Sequence, residues 1–542
     1  MRPNEFRSRA AAGAGVLALA LIAAGCSPAA TTTTSNSDNG TVTELVSTLG
    51  NGLFLPREAN EGPAGEDHLI FASLLTLSPS GQLEPGIAES WTQDTQAENW
   101  TFVIRSGLTF QNGAPITAAD IAYTLENTYG PGALTDTNST GAVKLVAKAT
   151  TSITASAANT VKVVFSKPLP YFGYLMTNFL SGSDQSGLFP EAYFKQVGLT
   201  GFDQKPIGSG PMQLIDYVPG QSMTFQRFDG YYNKAELPHF KFLKVEVVPE
   251  VATRVEALIG GQADVVQAQT SVIPQLTGAG DKVTYSTYAN YVFDQWQGCW
   301  VTTYACSNVQ VREALDLALD KTTIMKTLFG ASWEDAGWQE AMPGTLGYTP
   351  DLAPRPQNKA QAQQLLASAG YPGGKGMPTL VIDVISDSAS IPQLPNLALL
   401  IAQEWKDVLG VNTDVRVSDF SSLDSRQGTG VLNGQFYIRD NTARYDGASL
   451  YKGSYSGDTT NPNNLTEDPA LAAITQAMGA AVTPDSRTAA YNAAYEAARN
   501  AEYEIGFGSI ANVWGTSSRI HGWAPPTLNG SASDLWTIQV SS

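Results

Sequence analysis

This 542-residue chain contains three histidines, His68, His239 and His521, which lie far apart in the sequence. A serine or cysteine hydrolase needs its nucleophile beside a base, and no Gly-x-Ser-x-Gly turn is present to hold such a serine. A pair of catalytic carboxylates is left open, since the 50 acidic residues offer many spatial pairs. We therefore expect no enzyme here, with a secreted hydrolase as the remote alternative.

The three cysteines divide into one near the start of the chain and two close together. Six residues separate Cys299 from Cys306, which is close enough for a local disulfide in an oxidising compartment. The alternative is a free, buried pair. No histidine stands near the pair, so we predict neither a zinc site nor any other metal or cofactor.

The first 26 residues have the organisation of an export signal. Arg2, Arg7 and Arg9 precede an apolar run over 10–24, which is too short to span a bilayer. The run ends in Ala-Ala-Gly-Cys26, which resembles the bacterial lipobox, whose cysteine is acylated. We predict a signal peptide over 1–25, lipidation of Cys26, and a flexible Ser/Thr/Asn-rich tether over 26–40. The alternative is an ordinary secretory signal that is cleaved nearby.

Charge and length restrict the class further. The chain carries a net charge of −18, and residues 1–25 carry three arginines and one glutamate, so the remainder carries −20. An acidic surface disfavours nucleic-acid binding, which needs a basic face. No later apolar run approaches 18 residues, and about 500 mature residues suggest two or three lobes. We predict a monomer anchored by lipid to the extracytoplasmic face of a bacterial cell membrane.

Short strands alternate with amphipathic helices along the chain. Strand-like runs occur at 101–105, 161–165, 242–248, 380–385 and 435–439. Thr117 and Thr483 are predicted to cap helices, the latter with Pro484 at the first helical position. Further helices are predicted from Val311 and over 359–369, and a hairpin around Pro219-Gly220. This alternation predicts an α/β fold.

Six segments, in order, resemble the signature motifs of one protein family. The family is the dipeptide, oligopeptide, nickel and opine class (family 5) of extracytoplasmic solute-binding proteins of ATP-driven importers. The six segments are GQLEPGIAESW at 81–91, the strand–turn–helix segment at 100–123, PIGSGPM at 206–212, the Arg and Tyr-Tyr element at 227–232, the segment at 248–264, and VREALDLALDK at 311–321.

That resemblance implies a large periplasmic-binding-protein-like α/β fold of three lobes with one cleft between two of them. Lobe I would comprise 41–74, 206–295 and 515–542, lobe II 75–205, and lobe III 296–514. The cleft between lobes I and III would capture a peptide or another small solute and deliver it to membrane permease subunits. No covalent chemistry is implied. An oligosaccharide, opine or metal-chelate ligand, or a sensor role, is the alternative within the same fold.

Candidate ligand contacts lie in the segment 439–450. Peptide binders of the family neutralise the peptide amine with an aspartate in a Trp-x-x-Asp-Tyr segment. Here Tyr445 and Asp446 fit its second half, whereas Arg444 or Thr442 occupies the position of that aspartate. Arg439 follows a predicted strand and could meet a carboxylate or phosphate of the ligand bidentately. The alternative is that Arg439 pairs with Asp440 or Asp446 on the surface.

Two tryptophans complete the predicted site. Trp296 and Trp514 are candidate walls of a pocket, because aromatic rings give a large apolar area with few rotatable bonds. Such rings fill cores equally often. Glu61 follows the first strand, where relatives reach their ligands, although a solvated loop carboxylate accounts for it as well. We expect Gly208 and Gly210 to be turn positions and not a phosphate cradle, since no lysine follows them.

Overall fold

The computed structural model of this chain describes residues 40–49, 67–78, 81–131, 133, 146–177, 187–388, 390–443, 445–446, 454–455, 457, 464–525, 527–528 and 537–541. The predictions for the signal peptide, for Cys26 and its tether, and for Glu61 fall outside these residues. Within them, no helix is long and apolar enough to cross a membrane, and no group of side chains has the makeup of a metal site.

Nineteen strands are present in the described ranges, and most are short. They are β1 Thr41–Val46, β2 Leu75–Leu77, β3 Leu83–Pro85, β4 Ala88–Gln93, β5 Asn99–Ile104, β6 Thr150–Ala157, β7 Thr160–Phe165, β8 Met212–Val218, β9 Ser222–Arg227, β10 Phe242–Val247, β11 Val265–Ala268, β12 Lys282–Trp296, β13 Trp333–Glu334, β14 Leu380–Ile385, β15 Thr413–Ser418, β16 Phe436–Thr442, β17 Ser509–Thr516, β18 Ile520–His521 and β19 Gln539–Val540.

The helices of the described ranges lie between these strands. They are α1 Asp67–Ile70, α2 Ala118–Tyr129, α3 Phe172–Leu175, α4 Glu191–Gln204, α5 Val251–Ile259, α6 Ile273–Ala279, α7 Val309–Leu317, α8 Lys321–Phe329, α9 Lys359–Ser368, α10 Leu394–Glu404, α11 Phe420–Gly428, α12 Pro469–Ala480 and α13 Pro484–Ala501. A π-helical turn, Trp405–Leu409, continues α10.

Eleven strands form one large sheet, and two long strands join its halves. The order is β15-β14-β16-β12-β17-β11-β1-β10-β9-β8, with β13 paired to β17. We call β8 to β11 with β1 the first half-sheet, and β14 to β16 the second half-sheet. Within the halves, β1 is parallel to β10 and β11, and β14 is parallel to β15 and β16. The mixed α/β architecture confirms the predicted fold class.

A separate sheet of order β4-β5-β7-β6, with α2 and α3, forms what we call the four-stranded unit. The amide of Gln111 fastens this unit to the start of β8. Gln111 Nε2 donates to the carbonyls of Ile70, Gly210 and Met212, and Gln111 Oε1 accepts from the Gly208 N–H. Since all four bonds are buried, the junction is rigid.

Close backbone approach explains the two glycines of the 206–212 segment. A Cβ at Gly208 would lie 2.1 Å from the carbonyl oxygen of Ile70, and one at Gly210 would lie 2.4 Å from that of Leu69. Neither glycine has a positive φ. These glycines therefore allow close packing of the chain, and any side chain at either position would displace the end of α1.

Local sequence signals place the ends of the predicted elements within a few residues of those observed. Thr117 Oγ1 accepts from the Asp120 N–H while Asp120 Oδ2 accepts from the Thr117 N–H, so α2 begins with a capping box. Thr483 caps α13, and Pro484 is its first residue. The hairpin of β8 and β9 turns through Gly220 at φ +68°. The five predicted strands are β5, β7, β10, β14 and β16, with ends shifted by at most three residues.

Candidate functional site

The second half-sheet presents the carboxyl ends of three strands at one edge. Because β14 is parallel to both β15 and β16, the segments after Ile385, Ser418 and Thr442 emerge together. Open parallel sheets bind their ligands in the crevice outside such an edge. Arg439 lies in the last part of β16, directly opposite Phe293 of β12. The structure thus places Arg439, one of the candidates of the sequence, at the carboxyl edge of this half-sheet.

An aromatic frame surrounds the Arg439 guanidinium. Its central carbon lies 4.5 Å from the ring centre of Phe293, 5.6 Å from that of Tyr437 and 5.7 Å from that of Phe420. Tyr437 and Arg439 share a face because they are two residues apart on one strand. Three rings limit the rotation of the guanidinium and hold its charge by cation–π attraction.

Arg439 has no ion-pair partner among the described residues. Its Nε is buried and makes no hydrogen bond there, and no salt bridge joins it to Asp440 or Asp446. Burial raises the pKa of the Tyr437 hydroxyl to about 12, although the charge of Arg439 opposes that shift. A framed cation without a carboxylate is suited to an anionic ligand group.

Asp446 is committed to a different partner. Its carboxylate forms a buried ion pair with Arg487 of α13 and accepts a hydrogen bond from the Tyr491 hydroxyl. Burial alone would lower the pKa of Arg487, but the attraction of Asp446 together with Tyr491 and Tyr174 raises it above its ordinary value. The Asp446 carboxylate is therefore already neutralised by Arg487, and its predicted contact with a ligand stays a prediction.

Tyr445 lies beside Asp446 and packs over Gly81, which precedes β3. A Cβ added at Gly81, which has φ +76°, would lie 2.7 Å from the Tyr445 ring. The Tyr445 carbonyl accepts from the Leu346 N–H over 3.0 Å. The ring is thus fixed between two parts of the fold, and its use by a ligand stays a prediction. Arg444 lies outside the described residues.

Both predicted pocket tryptophans lie in packed interiors. Trp296 is fully buried, with its ring 6.0 Å from that of Trp405 and 4.7 Å from that of Phe436. Trp514 packs 6.0 Å from Trp523 in the core of the first half-sheet. The alternative of core filling accounts for both rings because apolar area is removed from water there. Neither indole lies with Arg439, so neither supports the candidate site.

A buried acid, Glu504, lies between α13 and β17 and contacts Gln295 of β12, the strand that also carries Phe293. Glu504 Oε1 accepts from Gln295 Nε2 over 3.2 Å, and Glu504 Oε2 accepts from the Tyr455 hydroxyl. Burial, and then the charge of Glu340, raise the pKa of Glu504 to about 8, although both hydrogen bonds oppose the shift. A carboxylic acid that stays protonated near neutral pH makes this interior sensitive to alkali.

We expect the stability of the chain to fall as the pH rises from about 5 to 8. In that window folded Glu504 keeps a proton that an unfolded glutamate, with its usual pKa of 4.5, has released. The free energy of unfolding then decreases with pH, by more than about 1 kcal/mol for this group. Glu504→Gln should make the urea midpoint of unfolding less dependent on pH across this window. The substitution Glu496→Gln, at an exposed position, should leave that dependence unchanged. Equal slopes in both variants would contradict the assignment.

The two remaining cysteines are joined. A disulfide links Cys299 and Cys306, with the Cα atoms 5.3 Å apart, as the sequence predicts. The bridge closes a short loop after β12, in which Tyr304 reaches back to lie over Gly434. The loop follows Trp296 directly and fixes the path of the chain into α7.

Sequence reasoning missed the aromatic frame and the partner of Asp446. Alternation along β16 could have placed Tyr437 beside Arg439. Phe293 and Phe420 are 146 and 19 residues away from Arg439 in the sequence, and only strand register and the packing of α11 bring them there. No local pattern pairs Asp446 with Arg487, 41 residues later.

Comparison with known proteins adds independent observations. Residues 82–468 match the model of the bacterial extracellular solute-binding proteins, family 5 middle. The chain is 24% identical over 455 residues to the periplasmic murein peptide-binding protein MppA of Escherichia coli, covering 78% of this chain and 79% of MppA. It is 24% identical over 407 residues to heme-binding protein A of Haemophilus influenzae, covering 71% and 68%.

Solved structures show the same fold. The ABC transporter substrate-binding protein CtaP of Listeria monocytogenes superimposes with a TM-score of 0.77 at 19% sequence identity. The superposition covers 93% of this chain and all of the CtaP chain. The likeness extends over both half-sheets and the four-stranded unit, and is not confined to the matched middle segment.

Proposed function

The chain belongs to the bacterial extracellular solute-binding proteins of family 5, and on that basis we propose that it captures a peptide or peptide-like solute and delivers it to the permease of an ATP-driven importer. The similarity to MppA, a murein peptide-binding protein, supports a peptide-like solute. The observation that carries the site is Arg439, framed by three rings at the carboxyl edge of parallel strands and without an anionic partner in the described residues.

The proposed site recognises an anionic group of the solute. A guanidinium held in one orientation presents two parallel N–H donors to a carboxylate, and the surrounding rings exclude water and strengthen the attraction. A peptide supplies such a carboxylate at its carboxyl end or on an acidic side chain. No covalent step is needed, since capture and release suffice for delivery.

A second candidate is a non-peptide anionic solute, such as an opine or a metal chelate. It is favoured by the pairing of Asp446 with Arg487, because that pairing takes up a carboxylate of the segment in which peptide binders of the family hold the peptide amine. The heme-binding relative indicates that similar chains are not restricted to peptides. A ligand without a free amine would need Arg439 and not Asp446.

A thermal-shift screen of purified residues 27–542 tests the proposal. Dipeptides to octapeptides, their carboxyl-amidated forms, opines, sugars and metal chelates should each be added at about 100 times a micromolar dissociation constant. A binder at that excess stabilises the folded chain by about 2.7 kcal/mol. A shift with free but not amidated peptides supports carboxylate recognition. No shift with any anionic solute would contradict it.

We also propose the lobe arrangement and location predicted from the sequence. The first half-sheet would form lobe I, the four-stranded unit lobe II, and the second half-sheet lobe III, with the boundaries given above. The order of the strands supports these boundaries, since β4 to β7 lie within 88–165 and β14 to β16 within 380–442. A monomer tethered outside the membrane by the lipid on Cys26 completes the proposal.

The lipid anchor predicts a simple change of location. Cys26→Ala should move the chain from the membrane fraction to the soluble fraction or the medium, because one thioether-linked lipid site is lost. Ser27→Ala is the matched control and should remain with the membranes. Immunoblots of fractionated cells measure both. Unchanged membrane association of Cys26→Ala would contradict the anchor.

A further inference from the structure

The four-stranded unit contacts the two halves of the large sheet in different ways. Its junction with the chain before β8 includes the four buried bonds of the Gln111 side-chain amide and a fifth bond from the Gln111 N–H to the Gly208 carbonyl. On its other side the unit meets α13, where the Tyr174 ring lies under Arg487 and Gln93 Nε2 donates to the carbonyl of Val482, just before α13, over 3.5 Å. Gly81, which precedes β3, lies under Tyr445 of the segment that follows β16. A movement of the second half-sheet would therefore separate the contacts at Tyr445 and Arg487 and leave the bonds of Gln111 intact.

Arg487 is the centre of this second junction. Its guanidinium carbon lies 5.0 Å from the ring centre of Tyr174, and the same guanidinium forms the ion pair with Asp446. The side chains of Arg487 and Asp446 are 10% and 3% exposed. Burial, and then the charge of Asp446, raise the pKa of Tyr171, so this second tyrosine of the four-stranded unit also lies in the field of the pair.

Two strands connect the half-sheets in the described part of the large sheet. These are β12 and β17, and the register between them shifts between Ser286 and Asn290. At that irregularity Asn290 Nδ2 donates to Asn512 Oδ1 over 2.6 Å. A crossing of two strands with one irregular step can flex, since few backbone torsions need to change.

We propose that Arg487, paired with Asp446, and Tyr174 form a latch that holds the second half-sheet closed against the four-stranded unit. This inference rests on the proposed function, in which the closed state holds the solute. Opening would withdraw Arg487 from the Tyr174 ring and admit water to the ion pair. A cation–π contact is strongest when both partners are desolvated, so the latch favours closure.

The latch changes the affinity for solute by changing the fraction of molecules in the closed state. When only a fraction of molecules is competent to hold solute, the apparent dissociation constant rises in inverse proportion to that fraction. Tyr174 and Arg487 thus tune affinity without touching solute, as positioning residues. The segment with Arg439 and Tyr445 is carried on the same half-sheet, so the latch also fixes where that segment stands.

Distances between two nitroxide spin labels, measured by electron–electron resonance on the solute-free chain, test the latch. Nitroxide labels are placed at Lys148→Cys in the four-stranded unit and Gln364→Cys on α9, both exposed positions. The full chain carries Cys26→Ala, and the disulfide protects Cys299 and Cys306 from labelling. Tyr174→Leu should lower the ratio of short to long distances about fivefold. Arg487→Lys keeps the charge but loses the planar stack, and should act in the same direction.

Tyr123→Leu is the matched control, because Lys195 lies 4.9 Å from the Tyr123 ring in the same unit but away from the junction. It should leave the distances unchanged. Unchanged distances in both Tyr174→Leu and Arg487→Lys would overturn the latch, as would a parent chain that already shows their distribution or an equal shift in Tyr123→Leu. Since no solute is added, failure of the latch leaves the solute-binding proposal standing, and failure of the screen leaves these distances interpretable.

Discussion

Arg439→Ala should weaken solute binding by about 2–5 kcal/mol, which is roughly thirtyfold or more in the dissociation constant. The guanidinium is partly shielded by Phe293, Tyr437 and Phe420 and has no carboxylate partner among the described residues. Its attraction to a ligand anion is therefore strong, because the guanidinium makes no ion pair that the ligand would have to replace. Isothermal titration with the solute found by the screen measures the loss.

Arg416→Ala is the control for this prediction. Arg416 lies on β15 of the same half-sheet, is 46% exposed, and pairs with Asp414 over 2.9 Å. An exposed pair of this kind contributes little, so the affinity should change by less than about 0.5 kcal/mol. Arg439→Lys separates charge from geometry, because lysine keeps the charge but lacks the two parallel donors. A loss at Arg439→Ala no larger than that at Arg416→Ala would remove Arg439 from the site.

Lys321→Met should destabilise the fold by about 3–5 kcal/mol without altering the solute contacts. Lys321 Nζ lies 2.5 Å from Asp316 Oδ1, and both side chains are less than 5% exposed. Its charge also offsets the repulsion between Asp316 and Glu502, whose pKa burial and then Asp316 raise to about 8. Removing the cation leaves a buried carboxylate without its partner. Urea unfolding measures the change.

Two variants sharpen that test. Lys359→Met replaces an exposed lysine at the start of α9 and should change the free energy of unfolding by less than about 0.5 kcal/mol. The double variant Asp316→Leu/Lys321→Met should regain most of the loss, since an apolar pair of similar volume avoids the desolvation of two charges. If Lys321→Met is as stable as Lys359→Met, the ion pair does not support the core.

The sequence predicted what depends on short segments. Hydrophobic alternation, capping residues and turn glycines located β14, β16, α2 and α13 because these signals act within a few residues. Family motifs in order gave the fold class, which the matched residues 82–468 and the superposition on CtaP support over nearly the whole chain. Within the site, Arg439 was found because it follows a strand whose pattern is local.

What tertiary structure alone decided is which side chains meet. Trp296 and Trp514 were predicted as pocket walls, but an indole gains the same apolar burial from a core as from a pocket, so composition could not separate the two. Asp446 met Arg487 rather than Arg439 because α13 places Arg487 beside the segment that follows β16. The sequence by itself determined the family, the elements and the charged candidate. The aromatic frame of Arg439 was decided by the register of distant strands. Contacts between residues so far apart in the sequence leave no repeating pattern from which they could be predicted.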